Sequence, residues 1–375
     1  MQVPLFDLAR VLAPLRPQLH AALERCLTHG VFVLGPEVQA FERDFAAYTG
    51  HAHAVGVSSG TDALLLGFMA LDARGFLPGD EVLCTPFTFI ATATSVLRAG
   101  LRPVFVDLAP GRFYPDTEQF RAAWTPRTRA ILNVHLFGEP QPLDGLAALC
   151  RERGALLIED CAQAHGARQP DGRAVGKVGL AGAFSFFPAK NLGALGDGGA
   201  VVTDDADFAQ RVREKRQHGG AVRYQFNHLG GNFRLDALHA AFLQVLLPEL
   251  DGWVAKRRAN AAAYVAAWSG IGAERLRLPE LAPGHAWNQF VVRTPQRDAL
   301  KAALEAAGIG VAVYYPSALH KLGALAAALP PPHLPVAEAT CKEVLALPVY
   351  PGLHPDERAH VIATVAQFFA AATHS

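Results

Sequence analysis

The chain has 375 residues, 51% of them hydrophobic and 18% charged, enough for a large buried core and for two domains or one large α/β unit with an appendage. Lys plus Arg and Asp plus Glu number 34 each, so no basic face marks a nucleic-acid binder. No segment has the length of an apolar membrane span, the N-terminus lacks a signal-peptide pattern, and the five cysteines are scattered without a CxxC pair, which together point to a cytoplasmic protein with reduced thiols.

In chain order, "HAVGVSSGTDALLLGFMAL" predicts a strand to Val57, a turn, and a helix from Thr61. "DEVLCTPFTFIATATSVLRAGLRPVFVDL" predicts strand, loop, helix and strand, a βαβ unit with a right-handed crossover. "RAILNVHLFG" and "ALLIEDCAQAHGA" predict strands, the second ending in Glu159 and Asp160. "GAFSFF" and "GAVVTDD" predict strands on either side of "PAKNLGALGDG". The alternation argues for a mostly parallel sheet covered by helices. A long helical stretch from "NFRLDALHAAFL" to "NAAAYVAAW" follows, bent at Pro248. Beyond it come the strand "NQFVVRT", the helix "QRDALKAALEAAG", the strand "IGVAVYY", a proline-rich loop "LPPPHLP" and a final helix "PDERAHVIATVAQFFAAAT". These changes place a large domain at 1–250 and a smaller α/β domain at 251–375, with roughly the first 15 residues a candidate to pack on the small domain.

Open α/β sheets bind ligands beyond the carboxyl ends of their strands. Ser59-Gly60-Thr61-Asp62 opens a helix there, and free N–H groups at a helix start bind phosphate while Gly60 lets the backbone come close. The same residues would also serve as an ordinary N-cap. Asp160 ends an apolar strand and could be a helix cap, a metal ligand or the partner of a cationic ring; Gln163 follows within reach. Ser185 ends another strand, and Lys190 sits between "FSFFPA" and "NLGALGDGG". A lysine in a poorly solvated site loses part of its preference for the charged form, and its neutral amine can attack a carbonyl. Phosphate cradle, strand-end acid and half-buried lysine are the fixtures that pyridoxal 5′-phosphate needs, and Phe87 and Phe89 of "TPFTF" offer an aromatic for the ring face. The turn lacks GxGxxG and GK[ST], which argues against a nicotinamide or ATP site. His51 and His53 are joined by no carboxylate or cysteine cluster, so no metal site is expected.

The segments "SSGTDALLL", "GDEVLCTPFTFIATATSVLRAGLRPVFVDL", "TPRTRAILNVHLFGEPQPLDGL", "IEDCAQAHGA", "FSFFPAKNLGALGDGGAVVTDD" and "NFRLDALHAAFL" follow one another in an order that resembles the DegT/DnrJ/EryC1/StrS family of pyridoxal-phosphate sugar aminotransferases. The resemblance runs from "GPEVQAFE" to "VYYPSALH". It implies the fold type I, aspartate-aminotransferase-like architecture and a homodimer with active sites at the interface. Carried over by motif, Lys190 resembles the Schiff-base lysine, Asp160 the pyridine-nitrogen partner and Gln163 the contact at the ring hydroxyl. Phe89 resembles the stacking residue, with Phe87 second. Gly60, Thr61, Asp62 and Ser185 match the phosphate cradle. Asn232, with Arg234 as the alternative, is expected to reach the neighbouring subunit's site. Tyr314-Tyr315-Pro316 stands where the family often has His-Tyr-Pro, and Asn288 where histidine is common. These departures fall in or near the expected sugar pocket, where Arg234, Tyr315 and His320 are candidate substrate contacts. The resemblance implies amino transfer from a donor such as L-glutamate, leaving 2-oxoglutarate, to a nucleotide-linked keto-sugar. One branch of the family carries histidine in place of the lysine and dehydrates its substrate; the retained Lys190 favours amino transfer. A dehydratase of the same fold and a non-catalytic cofactor-binding regulator are the alternatives.

Overall fold

The computed structural model describes residues 1–222, 224–329 and 332–371. Parts of the expected "LPPPHLP" loop and the last residues of the expected final helix lie outside that range.

Seven strands form one sheet: β1 (His53–Val57), β2 (Glu81–Cys84), β3 (Arg102–Phe105), β4 (Thr128–Val134), β5 (Leu156–Asp160), β6 (Ala181–Ser185) and β7 (Gly199–Thr203). Their order is β1-β7-β6-β5-β4-β2-β3. The neighbours from β3 to β6 pair in parallel, while β7 runs antiparallel to both β6 and β1. Two reversals restore direction, so β1 points the same way as β5 and β6. The carboxyl ends of all three therefore share one edge of the sheet.

Most strand residues are buried, as expected for a sheet covered on both faces. Phe41 and Phe45, from helix Pro36–Thr49, pack with Phe184 and Phe186 on one face, with ring centroids 5.1–5.5 Å apart. Leu64, Leu66 and Phe68 of helix Gly60–Met69 pack with Val82, Cys84 and Ala130 in the other main layer. Burying a large apolar side chain contributes about 1.5–3 kcal/mol, so these layers fix where the strand ends fall.

Beyond the sheet, Pro248 lies in a short 3-10 turn, Leu247–Glu249, between helices Ala237–Leu246 and Leu250–Trp268. A two-stranded antiparallel ribbon, β8 (Phe290–Arg293) and β9 (Val344–Leu347), packs with helices Leu250–Trp268, Arg297–Ala306 and Pro355–Ala371 around Tyr264, Trp268, Trp287 and Phe290. The N-terminal segment touches this unit. Val3 N–H donates to the Gly308 carbonyl at 2.9 Å, and Arg10 Nη1 meets Glu357 Oε2 at 2.7 Å.

The stretch "IGVAVYY", expected as a strand, is extended chain with single bridges from Ile309 to Val3 and from Ala312 to Ala346. Its backbone is shared between two partners, so no continuous ladder forms.

Candidate active site

The register across β1, β7 and β6 aligns Val57, Gly199 and Ser185. The turn after β1 thus arrives beside the end of β6. Ser59 caps helix Gly60–Met69: its Oγ accepts the Asp62 N–H at 3.0 Å and donates to Asp62 Oδ2 at 2.9 Å. The Ser58 hydroxyl also donates to Asp62 Oδ2, at 2.7 Å. The Asp62 carboxylate is therefore held by the turn itself. The Gly60 and Thr61 N–H groups belong to the first turn, which has no intrahelical acceptor for them. A Cβ at Gly60 would collide with Ser185, whose Oγ would lie at 2.9 Å and Cα at 3.0 Å. Only glycine lets this helix start come up against the Ser185 hydroxyl, and together they make a concave, donor-rich corner suited to a phosphate group.

Successive strand residues face opposite sides of a sheet, and Glu159 and Asp160 illustrate the consequence. Glu159 accepts from His135 Nε2 at 2.9 Å and from the Gly176, Val178 and Gly179 N–H groups at 2.6–2.8 Å. Burial opposes its ionisation, yet these donors hold the carboxyl below its ordinary range. Asp160 is also buried but has fewer donors: Ala162 N–H to Oδ1 at 3.1 Å and Thr92 Oγ1 to Oδ2 at 2.9 Å. Burial wins there and raises its pKa, against the pull of those bonds and of Lys190. A buried acid that has not been fully compensated fits a cationic ring nitrogen.

Lys190 follows β6 in a turn closed by its own N–H to the Phe187 carbonyl at 2.9 Å. Its side chain keeps some open surface in densely packed surroundings. Burial pulls the amine down to about 8, and Asp160 opposes that shift. The next residue anchors the turn. Asn191 donates to the Ala286 carbonyl at 2.8 Å and accepts from Asn288 Nδ2 at 3.1 Å. Asn288 is therefore a buried support beneath the lysine turn. His165 packs between Phe184 and Phe186, pushed down to about 3 by burial and by the Lys190 charge, so it stays neutral.

Gln163 is oriented from two sides: its Oε1 accepts the Phe137 N–H at 2.8 Å and its Nε2 donates to the Tyr315 hydroxyl at 3.1 Å. This brings Tyr315, from the later part of the chain, to the same cluster. Phe89 is 56% exposed, with its ring 6.5 Å from that of Tyr315, while Phe87 is fully buried against Phe113 and Phe137. Of the two aromatics, only Phe89 presents a free face.

Asn232 is exposed and Arg234 half-buried, in a segment joined to the end of β1 by the Ser58 N–H to Phe233 carbonyl bond of 2.9 Å. His320 is buried, with Nε2 3.0 Å from Glu338 Oε1. That pairing ties it to helix Pro335–Glu343. Both ring nitrogens of His51 are engaged, by Thr49 Oγ1 and the Gly176 carbonyl.

Thr92 has no place in the reading by motif, although it bonds Asp160 directly. Its only signal in the sequence is its position one helical turn after Thr88 in "FTFIATATS".

A family model described as the DegT/DnrJ/EryC1/StrS aminotransferase family matches residues 15–366. The pleiotropic regulatory protein of Geobacillus stearothermophilus is 41% identical over 372 residues, covering 98% of this chain and 99% of its own length. The UDP-N-acetyl-3-dehydro-alpha-D-glucosamine 3-aminotransferase of Acidithiobacillus ferrooxidans is 44% identical over 366 residues, 97% of this chain and 96% of its own. The solved structure of S. venezuelae DesV in complex with a ketimine intermediate superposes with a TM-score of 0.93 at 42% identity, covering 98% of both chains.

Proposed function

Because the chain belongs to the DegT/DnrJ/EryC1/StrS aminotransferase family, which depends on pyridoxal phosphate, we propose that it moves an amino group from L-glutamate to a nucleotide-linked keto-sugar. The observation that carries the assignment to these residues is geometric: the Gly60–Ser185 corner and the buried Asp160 stand at the ends of β1, β6 and β5 on one edge of the sheet, and the turn that carries Lys190 leaves from that same edge.

When bound, pyridoxal phosphate supplies an electron-accepting ring that stabilises the carbanion left by proton loss. The Gly60 and Thr61 N–H groups and the Ser185 hydroxyl hold its phosphate, and Asp62 keeps their turn in shape. Asp160 pairs with the ring nitrogen and favours its protonated form. Gln163 Nε2 has a second hydrogen for the ring hydroxyl, and Phe89 covers the ring face. Lys190 would be the residue that holds the cofactor through its aldehyde carbon. With the cofactor bound, the Lys190 amine would be the group available to accept and return the proton of the donor's Cα, as base and then acid. With a pKa near 8, a useful fraction of it is neutral at physiological pH.

Tyr315, bonded to Gln163, and Arg234 would be the residues to meet the sugar, and the name of the 3-aminotransferase relative supports a ketone at C3. His320 Nε2 is engaged by Glu338 on the neighbouring helix, so a substrate contact from this ring would come from Nδ1, which is buried without a hydrogen-bond partner. The working protein is a cytoplasmic homodimer serving amino-sugar biosynthesis; no helix among the described residues is long and apolar enough to cross a membrane.

The holoprotein is expected to lose its visible absorbance on adding glutamate, to recover it with 2-oxoglutarate, and to aminate a UDP- or dTDP-linked 3-keto-sugar. Lys190→Ala is expected to retain cofactor affinity and lose turnover. Absorbance indifferent to every amino donor would support a regulator without turnover, the reading that the regulatory name of one relative favours. Release of water from the sugar without amine transfer would support a dehydratase.

A further inference from the structure

Helix Ala91–Arg98 carries three polar links to the three parts of the site. Thr92 Oγ1 donates to Asp160 Oδ2 at 2.9 Å. Thr92 N–H donates to the Phe89 carbonyl at 3.2 Å, closing the turn that presents the free ring. Ser95 Oγ donates to the Thr61 carbonyl at 3.2 Å, in the first turn of the helix whose start forms the phosphate corner. Thr92 and Ser95 lie three apart and so share a helix face, and both are fully buried. Thr88 Oγ1 lies 3.1 Å from Thr92 Oγ1. These links connect the acid, the aromatic and the phosphate turn, which otherwise come from separate stretches of sequence.

We propose that Thr92 is a positioning residue for the transfer reaction: through one helix it fixes Asp160 against the ring nitrogen in register with Phe89 and the Thr61 turn. The inference rests on the cofactor reading above. The physical case is that a buried carboxylate with two donors depends strongly on each. Losing a hydrogen bond to a charged buried group costs more than losing one at the surface. The Thr92 hydroxyl also fixes which way the carboxylate plane faces, because Ala162 N–H already holds the other oxygen. Ser95 is the second point of attachment, tying the same helix to the phosphate turn. The sequence hides this arrangement, since Thr92 and Asp160 are 68 residues apart.

The test compares apoprotein affinities for pyridoxal phosphate and for its analogue with carbon in place of the ring nitrogen. Thr92→Val keeps the shape and removes the hydroxyl. It is expected to weaken pyridoxal phosphate binding about tenfold, the effect of one charge-assisted hydrogen bond, while changing affinity for the analogue less than about twofold. Thr92→Ser is expected to restore the discrimination. Ser95→Ala is expected to weaken pyridoxal phosphate but to leave pyridoxal, which lacks the phosphate, unchanged. Circular dichroism and a melting curve verify folding, and Thr92→Ala replaces Thr92→Val if that variant does not accumulate.

Equal weakening for both cofactor forms, or no weakening, overturns the positioning role and leaves the cofactor reading intact. Wild-type protein that binds neither form overturns both.

Discussion

Lys190 and Asp160 pose the same physical problem with opposite signs. Asp160 is buried and Lys190 is half-buried in densely packed surroundings, and each is shifted toward its neutral form while the other resists the shift. Attack on an aldehyde requires the neutral amine. In the apoprotein, the rate of Schiff-base formation with pyridoxal phosphate is therefore expected to rise with pH through a midpoint of about 8. Below that midpoint the neutral fraction falls about tenfold per pH unit. Asp160→Asn removes the carboxylate that favours the ammonium form, so the midpoint should move lower. Stopped-flow absorbance across pH 6 to about 10 measures both. A rate still climbing steeply near the ordinary lysine range would show that the amine is solvated, and would remove the electrostatic basis for its role.

At the scale of elements, the legible parts of the sequence were those where chemistry and periodicity coincide. Asp160, Ser185 and the Gly60 turn all stand at the ends of apolar runs, and the structure draws those ends to one edge because β7 reverses direction between β6 and β1. Contacts made across the fold were not legible. Thr92 looks like any helical threonine until its bond to Asp160 is seen. The Asn191–Asn288 pair spans 97 residues, and no local pattern announces it. The stretch at 309–315 has strand composition, but its partners, Val3 and Ala346, come from opposite ends of the chain. Asp107 gives a further example. It follows β3, and its carboxylate accepts the Val336 and Ala337 N–H groups, at 3.0 and 2.9 Å, at the start of helix Pro335–Glu343. It caps a helix more than two hundred residues later. Asp107→Ala should cost that helix start about 1–2 kcal/mol. Amide exchange at Val336 and Ala337 should quicken about tenfold while the central sheet stays protected. Unchanged exchange there would mean that the bonds contribute nothing to holding the helix.

For the whole molecule, the question is whether one chain completes its own site. Val31, Phe32 and Val33 are exposed, and the Ala237 N–H to Phe32 carbonyl bond sets them beside the 232–237 segment. Phe187 and Leu195, on either side of the lysine turn, are exposed as well. Apolar surface at the rim of a polar site is the kind that a second copy covers, with the same patch contributed by both partners of a two-fold dimer. The position of Asn232 and Arg234 allows two roles, because the Ser58–Phe233 bond also sets their segment next to the phosphate turn of its own chain. Mixing variants separates these. Lys190→Ala and Asn232→Ala homodimers should each be nearly inactive; Arg234→Ala serves as the parallel partner. If the 232–234 segment acts on the partner's site, a mixed dimer gathers both lesions into one site and leaves the other intact. Equal mixing and re-equilibration should then restore about one quarter of wild-type activity, since half of the dimers are mixed and half of their sites are whole. If the segment serves its own chain, every site in the mixed dimer carries one lesion and activity stays at the level of the parents. Steady-state turnover of the re-equilibrated mixture, with sedimentation to verify the dimer, distinguishes a shared site from a self-contained one.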